Sequence, residues 1–217
     1  MFPLRDTQSS GKFPIVNLTL ILTNLYIFFL ELTTPNLDLL IQKYALTPNL
    51  IDLSDTATLT PFLSSLFLHA GFLHILSNMW FLWIFGDNVE AKIGHFKYLF
   101  FYLFCGITAS LAQYIFIPNS SLPMLGASGA IAGVLGAYAH FFPHNKVDTI
   151  VPVFGLPLLI AVPASFMLIY WFLTQAFNGV ASIFVATTSI GTVAYIAHTG
   201  GFLSGLVTSR FFNWSND

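Results

Sequence analysis

The stretch from Gly126 to Phe142, GASGAIAGVLGAYAHFF, runs without one charged residue and is closed by Pro143. A helix of this composition is apolar on every side, which places it in a large core or in a membrane. Glycines at 129, 133 and 136 give it a flat face on which a neighbouring backbone can pack, the small-xxx-small pattern of helix pairs in lipid. A single small hydroxyl, Ser128, stands near its start.

The rest of the chain agrees with a membrane setting. Of 217 residues, 56% are hydrophobic and only 7% charged, with a mean hydropathy of +0.78. Soluble domains carry about 25% charged residues, so this chain cannot cover itself with a water-compatible surface. A net charge of −2 and a pI near 6.3 offer nothing that would draw nucleic acid. The single cysteine, Cys105, cannot form a disulfide framework and is read as an apolar packing residue. The first apolar run, Ile15 to Leu32, is followed by Thr33, Thr34 and Pro35 rather than a cleavage motif, and is read as a retained span.

Crossing a bilayer takes about 20 apolar residues. Six spans are expected, at roughly 14–32, 66–86, 98–117, 126–142, 157–178 and 183–212, in one domain covering 1–217. Pro152, Pro157 and Pro163 blur the start of the fifth. The segment 33–65 is too broken to cross and is expected to lie at the interface as a partly buried loop. The fold class is therefore all-α, a six-helix membrane bundle. With the N-terminus inside, Arg5, Lys12, Lys92, Lys97, Lys146 and Arg210 fall on the cytoplasmic side and only Lys43 outside, as the positive-inside rule requires. Both termini are then cytoplasmic. The short tails suit a prokaryotic plasma (inner) membrane.

Polar groups inside spans are costly and by default mark function. They gather in the three even spans, which all run from outside to inside. The second opens with His69, His74 and Asn78, the fourth with Gly126 and Ser128, and the sixth carries His198. Counting about 1.5 Å per residue from the inner ends puts Ser128 roughly 21 Å up, and His198 and His74 roughly 18 Å up. All three meet about 10 Å below the outer surface of a hydrocarbon core about 30 Å thick. Glycines at 201 and 205 match the glycine face of the fourth span, so Ser128 and His198 can approach. A serine hydroxyl becomes a nucleophile when a base takes its proton, and His198 is the candidate base. Glu31 and Asp87 lie near span ends, so a dyad is expected rather than a triad. His74 and Asn78 share a helix face and, with the Ser128 amide at a helix start, could hold an oxyanion.

The series His69-x4-His74-x3-Asn78, then Gly126-Ala127-Ser128-Gly129-Ala130 with Gly133 and Gly136, then Ala197-His198-Thr199-Gly200-Gly201-x3-Gly205, resembles the signature of the rhomboid intramembrane proteases in order and spacing. Phe85-Gly86-Asp87-Asn88-Val89-Glu90 is similar to the family's region after the second span. The resemblance runs from about Leu66 to Gly205. It implies a Ser128–His198 dyad, an oxyanion hole of His74, Asn78 and the Ser128 amide, and a water-filled cavity open to the outside. It also implies a lateral gate near the fifth span, where Trp171 is similar in position to a gate aromatic. His69 and Gly126 would organise the site. The substrates implied are transmembrane proteins met within the lipid bilayer, with no cofactor and no metal. Two departures stand out. Many members carry a Trp-Arg pair in the first loop, where this chain has Lys43. Some pack a Tyr on the histidine from four residues after the serine, where this chain has Ala132.

Other chemistries fit less well. No His-Glu-x-x-His motif occurs for a zinc protease, and His69 and His74 would point in different helical directions. Two mid-depth carboxylates for an aspartyl protease are missing. A proton or solute relay would need a polar path through the inner half. A catalytically dead binder of membrane clients would have little use for both Ser128 and His198.

Overall fold

The computed structural model describes residues 1–8, 10–184 and 193–212. In chain order the elements are β1 (Phe2–Asp6), α1 (Ile15–Thr33), α2 (Leu37–Tyr44), α3 (Pro61–Ser64), α4 (Phe72–Ile93) and α5 (His95–Phe116). There follow α6 (Ser128–Phe141), β2 (Lys146–Val153), β3 (Leu156–Pro163), α7 (Ala164–Phe184) and α8 (Tyr195–Thr208). The chain is mostly helical, and α6 is its axis: every residue from Gly129 to Tyr138 is buried.

Three helices, α1, α5 and α7, are long and apolar enough to cross a bilayer, which marks an integral membrane protein. A fourth candidate is α4 taken together with the segment Thr56–Phe67, from which it bends by 76°. The expected six spans are thus not all full-length helices. Both α6 and α8 have 14 residues, about 21 Å at the standard rise, less than the about 30 Å of a hydrocarbon core. Residues 185–192 of the expected sixth span lie outside the described residues.

What holds α6 to α8 is the absence of side chains between them. A methyl group on Gly205 would drive into the Gly133 carbonyl, one on Gly201 into the Gly129 carbonyl, and one on Gly136 into the Phe202 carbonyl. On the other flank Gly133 meets Cys105 of α5, which is fully buried. Lipid provides no hydrophobic drive between helices, so close van der Waals contact of this kind is what binds them.

At the opposite end from Ser128, α1 is fastened by a carboxylate from another helix. No side chain of its own caps α1. Instead Glu90 of α4, 1% exposed, accepts from the amides of Val16 at 2.8 Å and Asn17 at 2.7 Å. Those are first-turn donors with no intrahelical acceptor, where a negative charge is favoured. Asn17 then donates to the Leu82 carbonyl at 3.0 Å and accepts from the Tyr98 hydroxyl at 2.8 Å. His95 closes the group by pairing with Glu90.

The all-α expectation needs correcting, because β2 and β3, between α6 and α7 in the chain, join the N-terminal β1 in a three-stranded antiparallel sheet ordered β1-β2-β3. The connector 143–156 and the start of the fifth span at 157 are in fact a hairpin, and the helix begins only at Ala164. Phe154 and Gly155 make its turn with φ of 49° and 83°, the left-handed pair that a two-residue hairpin needs. Prolines 157 and 163 sit on β3, the edge strand, where a missing N–H costs no ladder bond. The 33–65 segment is not a plain loop either, since it contains α2 and α3.

The N-terminal strand is tied down by Asp6. Its carboxylate accepts from Asn88 at 2.7 Å and pairs with the Tyr138 hydroxyl. Trp80 donates to the Pro3 carbonyl at 2.8 Å and stacks on Phe2, so it anchors the strand. Burial pushes the Asp6 carboxyl above its ordinary value, against the pull of its bonds to Tyr138, Gln8 and Thr7. A raised carboxyl pKa stabilises the fold below the unfolded value of about 3.9 and loses that contribution as pH climbs through the folded value.

Two measurements follow from this packing. Gly205→Leu should lower the unfolding midpoint in detergent by the equivalent of about 3 kcal/mol or more, since overpacking here meets backbone. The control Gly71→Ala, where a methyl group meets nothing within 4 Å, should leave it unchanged. In addition, Asp6→Asn should flatten the decline in thermal stability as pH rises from about 4. An unaltered pH slope would show that Asp6 ionisation is not felt by the fold.

Candidate active site

Ser128 is the first residue of α6, and His198 lies one turn into α8. The glycine contacts between these helices fix their heights, and Ser128 Oγ stands 2.7 Å from His198 Nε2. Both residues are half-buried. The other imidazole nitrogen, Nδ1, is 2.8 Å from Oε1 of Gln175 on α7. Trp171, one turn earlier on α7, stacks on the His198 ring with centroids 5.9 Å apart and planes 27° from parallel. Position 132, four residues after Ser128, holds an alanine, and the aromatic ring against His198 comes from α7.

His74 and Asn78 occupy successive turns at the start of α4. The Ala70 amide donates to His74 Nδ1 at 3.4 Å, so the ring proton belongs on Nε2. That nitrogen faces Gly126. A Cβ at Gly126 would lie 2.6 Å from His74 Nε2 and 3.6 Å from Asn78 Nδ2. Gly126 also has φ of +124°, and its amide donates to the Ser65 carbonyl at 2.8 Å. Only glycine satisfies both the conformation and the space. The Asn78 amide nitrogen is buried with no hydrogen-bond partner, an exception to the rule that buried polar groups are paired. Ala127 precedes α6 without a side-chain cap, so its first-turn amides have no intrahelical acceptor. His74 Nε2 and the Asn78 amide therefore border the space that Gly126 leaves open, two residues before the start of α6 and its uncapped amides.

His69 is not in a helix, contrary to the expectation that it opens the second span. It lies in the bend before α4, where its amide donates to both carboxylate oxygens of Glu31 at 3.0 and 3.2 Å. Freed from helical spacing, its ring meets His74 edge to face with centroids 5.1 Å apart. The two rings were expected to diverge. Glu31 is buried within α1 and ties that helix to the loop above the site. Its role was not visible from its place near a span end.

Gln175 is the side chain against His198 that the sequence reading did not single out. The available signal was an amide four residues after Trp171, on the same helix face. Among the described residues no group of three histidine, cysteine or acidic side chains could hold a metal ion.

A sequence model of the rhomboid domain matches residues 56–214, well over half of the chain. Among curated proteins, the chain is 30% identical over 149 residues to the chloroplastic rhomboid-like protein 11 of Arabidopsis thaliana, covering 67% of this chain and 50% of that one. It is 40% identical over 84 residues to the rhomboid protease GluP of Bacillus subtilis, covering 39% and 16%. With the mitochondrial rhomboid protein 1 of Saccharomyces cerevisiae it shares 30% over 149 residues, covering 67% and 39%. The chain spans half or less of the length of these relatives. The matched region takes in α4, α6 and α8, the three helices that meet at Ser128, and the chain belongs to the rhomboid family.

Proposed function

We propose that this protein is an intramembrane serine endopeptidase that hydrolyses a peptide bond in or near the outer end of a substrate's transmembrane helix. The observation that carries this reading is the 2.7 Å contact between Ser128 Oγ and His198 Nε2, beside a buried and unpartnered Asn78 amide. Ser128 attacks the scissile carbonyl as its proton passes to His198 Nε2. The oxyanion is held by His74, Asn78 and the Ser128 amide, donors already in place before charge develops. His198 then gives the proton to the leaving amine, and water resolves the acyl enzyme by the same base. Gly126 keeps the recess open, and His69 organises the loop above it. Trp171 holds one face of the base.

The chain forms one membrane domain over 1–217, with six crossings and both termini cytoplasmic. The short α6 and α8 support a recess above Ser128 open to the outer compartment, since a helix of about 21 Å leaves part of an about 30 Å core to be filled by water or loop. The partners are the lipid bilayer and single transmembrane helices, which must unwind locally before a carbonyl reaches Ser128. Neither nucleic acid nor a metal has a part in the chemistry. The relatives divide between organelles and a bacterium, so the host membrane is proposed only as one with an outer aqueous face, not specifically a prokaryotic plasma membrane.

Cleavage of a transmembrane reporter in proteoliposomes tests this directly. Ser128→Ala and His198→Ala should each abolish cleavage while the unfolding midpoint stays within a few degrees of the parent. Asn78→Ala should slow it by about 10²-fold, the usual loss for one oxyanion donor. Full activity in either of the first two variants would refute the assignment, and a neutral Asn78→Ala would remove that amide from the oxyanion hole.

A further inference from the structure

We infer that Gln175 is a positioning residue that fixes the tautomer of His198, making the base competent only while α7 is docked on α8. The inference rests on the protease reading for its consequence but not for its geometry. His198 Nδ1 faces Gln175 Oε1 at 2.8 Å. An amide oxygen and an amide nitrogen differ little in shape, so the orientation of Gln175 has to be decided by its other partner.

That partner is Thr174. Its hydroxyl donates to the Trp171 carbonyl at 2.6 Å, one turn back in α7. With its proton committed there, Thr174 Oγ1 can only accept from Gln175, whose Nε2 lies 3.4 Å away. The amide nitrogen therefore turns to Thr174 and the oxygen to His198. Facing an acceptor, Nδ1 must carry the ring hydrogen, and a neutral imidazole then presents a bare Nε2 to Ser128. The opposite tautomer would put a hydrogen on Nε2 and leave nothing to receive the serine proton. During the reaction the proton moves from Ser128 Oγ to Nε2, while the Nδ1 hydrogen stays on nitrogen, bonded to Gln175. The amide itself neither gains nor loses a proton.

One further contact sets the ring: Trp171 stacks on it from the same helix. The titratable group facing it is His74 of α4, and among the described residues no acidic side chain hydrogen-bonds to it. Both the stacking ring and the tautomer-fixing oxygen ride on α7, while Ser128 and His198 are fixed to each other through the α6–α8 backbone contact. Displacing α7 would thus leave the dyad in place with its base unoriented.

The test joins turnover to a readout that needs none. Selective ¹⁵N labelling of histidine, with His198→Ala to assign the ring, should show Nδ1 protonated and Nε2 bare in the wild-type protein. Gln175→Leu should raise the share of the Nε2-protonated form and lower kcat about 10- to 100-fold, part of the about 10²–10⁴ that a well-placed base supplies. Its KM should barely move. Gln175→Glu keeps an acceptor and adds a charge, so it should retain activity at higher pH and shift the acid limb of the pH profile up by about one unit or more. An Nε2-protonated ring in the wild type, or a Gln175→Leu variant with unchanged ring signals and kcat, would overturn the inference. If Gln175→Leu fails to fold, an unshifted acid limb in Gln175→Glu would overturn it as well. Should the wild type cleave nothing while its ring signals still depend on Gln175, the inference stands and the protease reading falls.

Discussion

Two helices touching backbone to backbone determine everything that can happen at Ser128. A hydroxyl reaches an imidazole on another helix at hydrogen-bond distance only if their axes come closer than ordinary side chains permit. Gly133 against Gly205 and Gly129 against Gly201 remove the side chains at the crossing. On α6 those glycines lie one and five residues after Ser128, so an error of half a turn in register would carry the hydroxyl away from Nε2. The glycine face acts as the gauge that sets the 2.7 Å separation, as well as a packing device. Cys105, buried at the rear of Gly133, has the same kind of packing task.

The rest of the bundle divides between a fastened end and an open one. At the fastened end Glu90 caps α1, Asn17 and Tyr98 cross-link three helices, and Asp6 draws the N-terminal strand under Tyr138 at the foot of α6. Each of these groups satisfies donors that would otherwise be orphaned in a low-dielectric interior, where the cost of an unmade bond is high. At the open end the opposite holds. The Asn78 amide has no partner, the first-turn amides of α6 have none within the helix, and Gly126 keeps the space before them empty. Binding energy held in reserve at one end depends on rigidity built in at the other.

Much of this was legible in the sequence, for identifiable reasons. The glycine periodicities of α6 and α8, and the histidines and Ser128 gathered in the even spans, are strong signals because polar groups in lipid are costly. Depth counting put Ser128, His198 and His74 together since helical rise is nearly constant. What failed had physical causes too. The β2–β3 hairpin reads as part of an apolar span because an edge strand in this setting is as hydrophobic as a helix, and only Phe154-Gly155 between Val153 and Leu156 betrays the turn. The break at 68–71 invalidated helical spacing for His69 and brought its ring against His74. Gln175 was overlooked because a search for a carboxylate to orient His198 passes over a neutral amide.

Activity-based labelling addresses the central assignment most directly. The detergent-solubilised protein is treated with a fluorophosphonate, which phosphonylates a serine only where a neighbouring base and an oxyanion site activate it. Time-dependent labelling in the wild type, absent from Ser128→Ala, is the result expected of a hydroxyl primed by His198. A folded wild-type protein that takes no label, or a Ser128→Ala variant labelled equally, would contradict it.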